Sequence, residues 1–355
     1  MQRITRWKIA SLGLTLAAGL TLADAAVAQT KLVEQAGFPT PDLSNILNLI
    51  ADRTGFFKEE GLQVEVRFST GGPQATQITA SGGADIGQVT QEPSIEGYDK
   101  GIRGKMFYTQ FTRLIYHIAV PADSPIQSIA DLKGKNIGVT NMASASLIVA
   151  RSALRKNNVP IEGDTFRPVG FGDGAVAALR TGQVQALSMW TAAYASMMRA
   201  GMTFRFLYHP TVANIGSGGF FASDKTLAEK RDSLVKFGRA IAKATVFMIA
   251  SPEATLRIYW KFNPAGKPAG TDEEAMKRGL VEMNALIPLY DVQKHADKRY
   301  GLADMAGIQT YINMFLEEGV IPRALQAKDV VTNDLIDEIN KFDQGKVREL
   351  ARNWK

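Results

Sequence analysis

Apolar positions between residues 32 and 89 alternate between two periods. Residues 32–37 read as a short apolar strand ending in the loop 38–42, and Leu43, Ile46, Leu47 and Ile50 then recur at helical spacing as far as Gly55. Residues 63–68 alternate as a strand, a glycine-rich loop at 69–73 opens a helix to Ser81, and residues 84–89 form the next strand. The order β-α-β-α-β predicts a mostly parallel sheet covered by helices. A second series repeats it: strand 136–139, loop 140–145, helix to Lys156, strand 165–169, helix 175–180, strand 185–189. Segments 81–93 and 181–193 match part for part: a helix end, a glycine stop, an apolar strand, then a polar and aromatic loop that opens another helix.

Loops that follow strand carboxyl ends line the ligand crevice of parallel α/β sheets. Two such loops in two similar halves predict two α/β lobes facing across a cleft that holds a small molecule. Two segments are candidate crossings between the lobes: the strand-like run 113–120, and 204–221 with its Gly216-Ser217-Gly218-Gly219. The glycines there either absorb the dihedral changes of a hinge or form a plain loop. The expected organisation is a leader at 1–28, a first lobe from 29–118 and 218–355, and a second lobe at 119–217. The rest is read as helical, with a capping box at Thr271-x-x-Glu274, a first-turn proline at Pro252 and a last amphipathic helix over 335–350.

The first residues change the picture of where the protein works. Arg3, Arg6 and Lys8 precede an apolar run at 9–22, and Ala26-Val27-Ala28 supplies a small-x-small cleavage pattern before Gln29. A membrane anchor fits less well, because the run is shorter than the roughly 20 residues a spanning helix needs. Export to the periplasm is expected, with no cysteine available there for lipid attachment. Removing three basic residues and Asp24 lowers the formal charge from +6 to +4 over scattered positions. A nucleic-acid partner would require a basic patch or stripe. With no cysteine in 355 residues, disulfides, thiol nucleophiles and thiolate metal sites are excluded.

The candidate chemistry is that of binding. The segment 140–146 follows a strand and opens a helix, so its backbone N–H groups favour an anion; Asn141, Ser144, Ala145 and Ser146 are candidates there. The alternative is an ordinary cap with serines bonding the first turn. Gly71 and Gly72 correspond to Gly172 and Asp173 in the other half, and Thr90, Gln91 and Glu92 correspond to Trp190 and Thr191. Trp190 either stacks on a flat ligand or belongs to the core. Glu92 either accepts from a ligand amine or amide or sits in a solvated helical turn. Phe38, Phe171 and Tyr194 are candidate walls, as are Tyr108 and Phe111. Catalytic residues, metal ligands and a cofactor are not expected. His117, His209 and His295 are the only histidines, lie far apart, and no hydrolase, Walker or dinucleotide motif occurs.

The runs ADRTGFFKEEGL at 51–62, SGGADIG at 81–87 and IADLKGK at 129–135 resemble substrate-binding proteins of ABC importers, in the branch for nitrate, sulfonate, taurine and thiamine-precursor uptake. The resemblance spans roughly 31–320. It implies a two-lobed periplasmic-binding-protein fold (type II-like) with two crossover strands, a monomer that closes on a solute and delivers it to an inner-membrane permease. It also implies an anionic head at 143–146 and a cleft through 38–39, 71–72, 90–92, 171–173 and 190–191. Relatives often carry an Asp where this chain has Met189-Trp190-Thr191, and the fungal pyrimidine-forming relatives use cysteine-rich motifs that are absent. The expected solute is therefore a small organic anion: a sulfonate, a carboxylate or a heteroaromatic. A lyase on the same fold and a sensory module for a membrane receptor are the alternatives.

Overall fold

Residues 29–38, 43–294 and 297–354 are described, in a computed structural model. The expected leader at 1–28, most of the loop 38–42 and His295 lie outside them. Ten strands form two separate five-stranded sheets. The first sheet has the order β2 (Leu62–Phe68), β1 (Thr30–Ala36), β3 (Ile86–Val89), β10 (Gly219–Ala222) and β4 (Lys105–Thr109). The second has the order β7 (Phe166–Pro168), β6 (Ile137–Val139), β8 (Ala186–Trp190), β5 (Tyr116–Pro121) and β9 (Phe204–Leu207). Within each, three strands are parallel, as β-α-β crossovers require; β10 runs antiparallel to β3 and β4, and β5 antiparallel to β8 and β9.

The antiparallel strands follow from the chain passing between sheets. Of the run read as a crossing at 113–120, residues 113–115 make the passage and 116–120 belong to β5 of the second sheet, so the boundary expected at 118 falls inside that strand. The crossings are the segments just before β5 and just before β10, and they lie side by side. Gln110 N donates to Gly218 O (2.9 Å) and Ser217 N to Phe111 O (3.2 Å). Ser217 Oγ accepts from Ile115 N and donates to Arg113 O, both at 3.1 Å. Gly218 has φ +77, and a Cβ at Gly219 would collide with the Tyr108 carbonyl oxygen, so glycine is required at this junction.

Ser217 is fully buried. Removing its hydroxyl strands a buried donor and a buried acceptor, at a cost of about 1–2 kcal/mol. Ser217→Ala is expected to lower the urea midpoint accordingly without changing the slope. An unchanged midpoint would show that the paired crossings hold without this tie.

Each lobe has its own core. In the second, Ile118, Val120, Ile137, Val139 and Leu154 lie on one face and Ala119, Leu187, Met189 and Tyr194 on the other. The first lobe is enlarged by the C-terminal helices: Phe237 and Phe247 of Arg231–Ala250 pack on Phe57, Phe56 and Phe220. The final helix expected over 335–350 is two helices, Ile336–Ile339 and Gln344–Arg352. Asn340 Nδ2 bonds the Ile336 and Tyr300 carbonyls, and Asp343 caps the second helix by accepting from Gly345 N and Lys346 N. The Thr271–Glu274 capping box forms as read.

Behind the crossings the lobes share buried surface. Val149 of helix Ala145–Lys156 joins Leu114, Val212, Ile308, Ile312 and Phe315 in one cluster. On its polar flank Glu318, almost buried, accepts from Arg151 Nε (2.7 Å) and Arg155 Nη1 (2.8 Å). On the other side of the second lobe Arg199 pairs with Glu282 at 2.9 Å. No helix among the described residues is long and apolar enough to cross a membrane.

Candidate functional site

Between the sheets lies a cavity of about 530 Å³ whose wall comes from both lobes and the crossings. The first lobe contributes Gly37 and Phe38 after β1, Leu43, Thr70 and Gly72, Gln88 to Thr90 at the end of β3, and Gln110 and Phe111 after β4. The C-terminal part adds Leu286, Leu289 and Tyr290, and β10 adds Gly219. The second lobe contributes Thr140 and Asn141 after β6, Phe171 after β7, Trp190 at the end of β8, and Ala192. Ile115 and Tyr116 close the side at the crossings. Every wall loop that follows a parallel strand sits at that strand's carboxyl end, as the doubly wound topology dictates.

Seven of the sequence candidates are brought together on this wall: Phe38, Gly72, Thr90, Phe111, Asn141, Phe171 and Trp190. The others stand behind or beside it, the hydroxyls of Ser144, Ser146, Thr191 and Tyr194 bonded internally. Ser146 is buried, donates to Ser188 O (2.9 Å), and lies 3.1 Å from the Ser144 hydroxyl. Ser188 Oγ returns a bond to Ser146 O (2.9 Å), so the 144–146 segment is stitched to β8, and Ala145 starts the helix. Thr191 Oγ1 donates to Ile115 O and meets His117 Nε2, both at 3.1 Å. The fully buried Tyr194 hydroxyl lies 2.8 Å from Leu187 O and 3.0 Å from His117 O, and accepts from Met189 N. Gly71 precedes the helix that Gly72 begins, and Gly172 and Asp173 open the matching helix without joining the wall.

Gln91 and Glu92 are buried in the first turn of helix Glu92–Gly97. Neither reading of Glu92 from sequence describes it: Tyr311 Oη donates to Glu92 Oε1 at 2.6 Å, tying this turn to helix Met305–Glu317. Burial drives the Glu92 carboxyl above its ordinary range and, with Glu92 nearby, holds the phenols of Tyr116 and Tyr311 above theirs. On the cavity wall Tyr116 is thus a neutral phenol, able to donate and accept.

The wall residues that sequence reading passed over include apolar Leu43, Val89, Ile115, Leu286 and Leu289 and a polar group. Gln88 and Gln110 form a buried amide pair, Gln88 Nε2 donating to Gln110 Oε1 at 3.1 Å. Gln88 Oε1 accepts from Asn45 Nδ2 (2.9 Å) and Asn48 Nδ2 (3.4 Å), and Asn48 Nδ2 also donates to Glu34 Oε1 at 2.8 Å. Gln110 Nε2 donates to Tyr290 Oη at 3.4 Å. Glu34 is fully buried, and desolvation, partly offset by the Asn48 bond, pushes its carboxyl up to about 8. It is therefore largely a neutral acid at pH 7. Polar residues in the first and third strands, Glu34 in β1 and Gln88 in β3, are the sequence signal for this network.

The aromatic side chains sit in facing groups. On the second lobe the Trp190 and Phe171 rings meet edge to face with centroids 5.9 Å apart. On the first, Phe111 and Tyr290 meet at 5.2 Å. No Lys, Arg, His, Asp or Glu of the described residues is on the wall. Burial holds His117 and His209 down at about 4, where they are neutral at pH 7, and neither lines the cavity. Among the described residues no group of three His, Asp or Glu could hold a metal ion. The arrangement can sandwich a flat solute between aromatic faces and read its edge through uncharged amides, hydroxyls and a phenol.

A protein of Brucella abortus, named only as a binding protein, is 24% identical over 336 residues, covering 91% of this chain and 96% of its own. The 4-amino-5-hydroxymethyl-2-methylpyrimidine phosphate synthase of Aspergillus parasiticus is 25% identical over 295 residues, covering 75% of this chain and 82% of its own. Among solved structures, the periplasmic aliphatic sulphonate binding protein SsuA of Escherichia coli superposes with a TM-score of 0.65 at 17% identity, over 86% of this chain and 99% of that one. The last likeness is one of fold: two lobes of mixed sheet with covering helices, the architecture of periplasmic binding proteins. A sequence model described as NMT1/THI5 like matches residues 44–255, well over half of the chain, and the protein belongs to that family.

Proposed function

We propose that this protein is the periplasmic solute-binding component of an ABC importer, a monomer that closes its lobes on a small flat aromatic or heteroaromatic molecule and delivers it to a membrane permease. The observation that carries this reading is the inter-lobe cavity of about 530 Å³, walled by aromatic side chains of both lobes and edged by uncharged polar groups. Differential affinity of the solute for the closed arrangement would supply the free energy of closure. Among the described residues of this wall a sulfonate or carboxylate would find only backbone N–H groups and neutral side chains, which favours the heteroaromatic end of the expected range over the anionic end. The fungal synthase among the relatives keeps an enzyme reading in view. Against it, the only ionisable side chains on the described wall are the phenols of Tyr116 and Tyr290, which offer poor acid–base chemistry near neutral pH.

Native mass spectrometry of protein isolated from periplasmic extract should show one small molecule bound per chain. Returned at a hundredfold excess over its dissociation constant, that molecule should raise the melting temperature by on the order of 5 °C. A chain that carries no solute and is stabilised by none would refute the binding reading. Conversion of the solute to a new mass during incubation would establish an enzyme instead.

A further inference from the structure

We propose that Glu34 is a positioning residue which, through Asn48 and Gln88, fixes the direction of an amide relay ending at Gln110, so that the cleft selects solutes whose ring edge carries hydrogen-bond acceptors. This rests on the reading of the cleft as a binding site for a flat molecule.

The argument is one of donor and acceptor order. The carbonyl oxygen of the neutral Glu34 acid, Oε1, accepts from the Asn48 nitrogen (2.8 Å), and the same nitrogen, with that of Asn45, faces Gln88 Oε1. A primary amide carries its oxygen and nitrogen on opposite arms. With its oxygen held by two donors, Gln88 has only its nitrogen to give Gln110 Oε1 (3.1 Å), and Gln110 in turn has only its nitrogen for Tyr290 Oη (3.4 Å). Gln110 lies on the cavity wall, and its Nε2 carries a second N–H beyond the one given to Tyr290. That N–H is the group offered to a solute. Two buried atoms mark the orientation as imposed: among the described residues Asn48 Oδ1 and Glu34 Oε2 have no hydrogen-bond partner. Asn48 forgoes a partner for its own oxygen in order to keep donating. A site built to donate discriminates strongly against an edge that also donates, because two N–H groups then face each other desolvated.

Two neutral bicyclic probes of similar size separate the alternatives. Quinoxaline presents ring nitrogens that only accept, and indole presents an N–H that only donates. Calorimetric titration of the wild-type protein should give quinoxaline at least about a tenfold tighter dissociation constant. Glu34→Gln, whose carbonyl still accepts from Asn48, should keep that ratio. Glu34→Leu should narrow it to about threefold, since Asn45 alone then holds the Gln88 oxygen. Gln110→Glu, which replaces the donor by an acceptor, should reverse it, and it decides the matter if Glu34→Leu does not fold. A preference for indole in the wild type, or a ratio that survives in folded Glu34→Leu, overturns the proposal. Binding of naphthalene-2-sulfonate with no binding of either neutral probe overturns it too, while leaving the solute-binding reading intact. If none of the three binds, the solute recovered by native mass spectrometry decides. A ring edge without acceptors sinks this inference, and absence of any solute sinks the reading on which it rests.

Discussion

Glu34→Gln should make the protein more stable at pH 8 by roughly 3–5 kcal/mol, and the advantage should vanish by pH 4.5. Burial raises the Glu34 carboxyl from an ordinary 4.5 to about 8 in the folded chain. Below 4.5 both folded and unfolded chains hold the proton, and ionisation makes no difference to stability. Between 4.5 and 8 the unfolded chain releases the proton while the folded chain keeps it. Stability therefore falls by about 1.4 kcal/mol per pH unit across that window and levels off above it. Glutamine has nearly the same shape, keeps the oxygen that accepts from Asn48, and has nothing to ionise. Burial raises Glu92 in the same direction, so the wild-type curve also contains its contribution; the difference between the wild-type and Glu34→Gln curves isolates Glu34. Urea denaturation at pH 4.5, 6 and 8 measures it, and parallel curves at all three would show that Glu34 is not held neutral by its surroundings.

That a chain keeps such a residue at a stability cost fits a role in the cleft rather than in the core. An apolar side chain at position 34 would fill the same space without the penalty but could not accept from Asn48. Its use lies in the order it imposes on Asn48 and Gln88, two residues of the network that reaches the cavity wall. Stability given up at a functional position is the usual relation between binding sites and the folds that carry them.

Much of the framework was legible because it is local. Periodicity placed helix Ala145–Lys156 and most parallel strands to within two residues, since a strand alternating in burial and a helix with one apolar face leave their period in the sequence. The strand Lys105–Thr109 was not read. Its residues are almost all buried, so it shows no alternation, and its partner β10 lies over a hundred residues later. The candidate crossings 113–120 and 204–221 contain the true crossings but run on into β5 and β10, because nothing local marks where a crossing ends and a strand begins.

The wall divides in the same way. Phe38, Gly72, Thr90, Asn141, Phe171 and Trp190 follow strand ends, where topology alone points to the cleft. Tyr290 follows no strand, Gln110 follows the unread strand β4, and only tertiary packing brings the two within reach of each other. Ser146, Thr191 and Tyr194 show the converse. Each stands near a strand end, yet each lies off the wall and spends its hydroxyl on backbone behind it.

Trp190→Ala should weaken solute binding by roughly 30- to 100-fold, about 2–3 kcal/mol, because it removes the larger of the two rings that the second lobe presents to the cavity. Stability should fall as well, since Trp190 also packs partly buried against the cores of both lobes. Phe171 separates the two effects. It is 64% exposed and meets Trp190 edge to face, so the fold has little need of it. Phe171→Ala should leave the melting temperature within about 2 °C of wild type while weakening binding about fivefold to tenfold. The measurement is titration of each variant with the solute recovered by native mass spectrometry, beside a thermal melt without it. If Phe171→Ala binds as tightly as wild type and Trp190→Ala loses affinity only in proportion to its lost stability, these rings serve the fold and the solute lies elsewhere. If both lose affinity while only Trp190→Ala loses stability, the aromatic pair on the second lobe is one jaw of the clamp. The Phe111–Tyr290 pair then stands as the opposing jaw, because it is the aromatic pair that the first lobe brings to the same cavity.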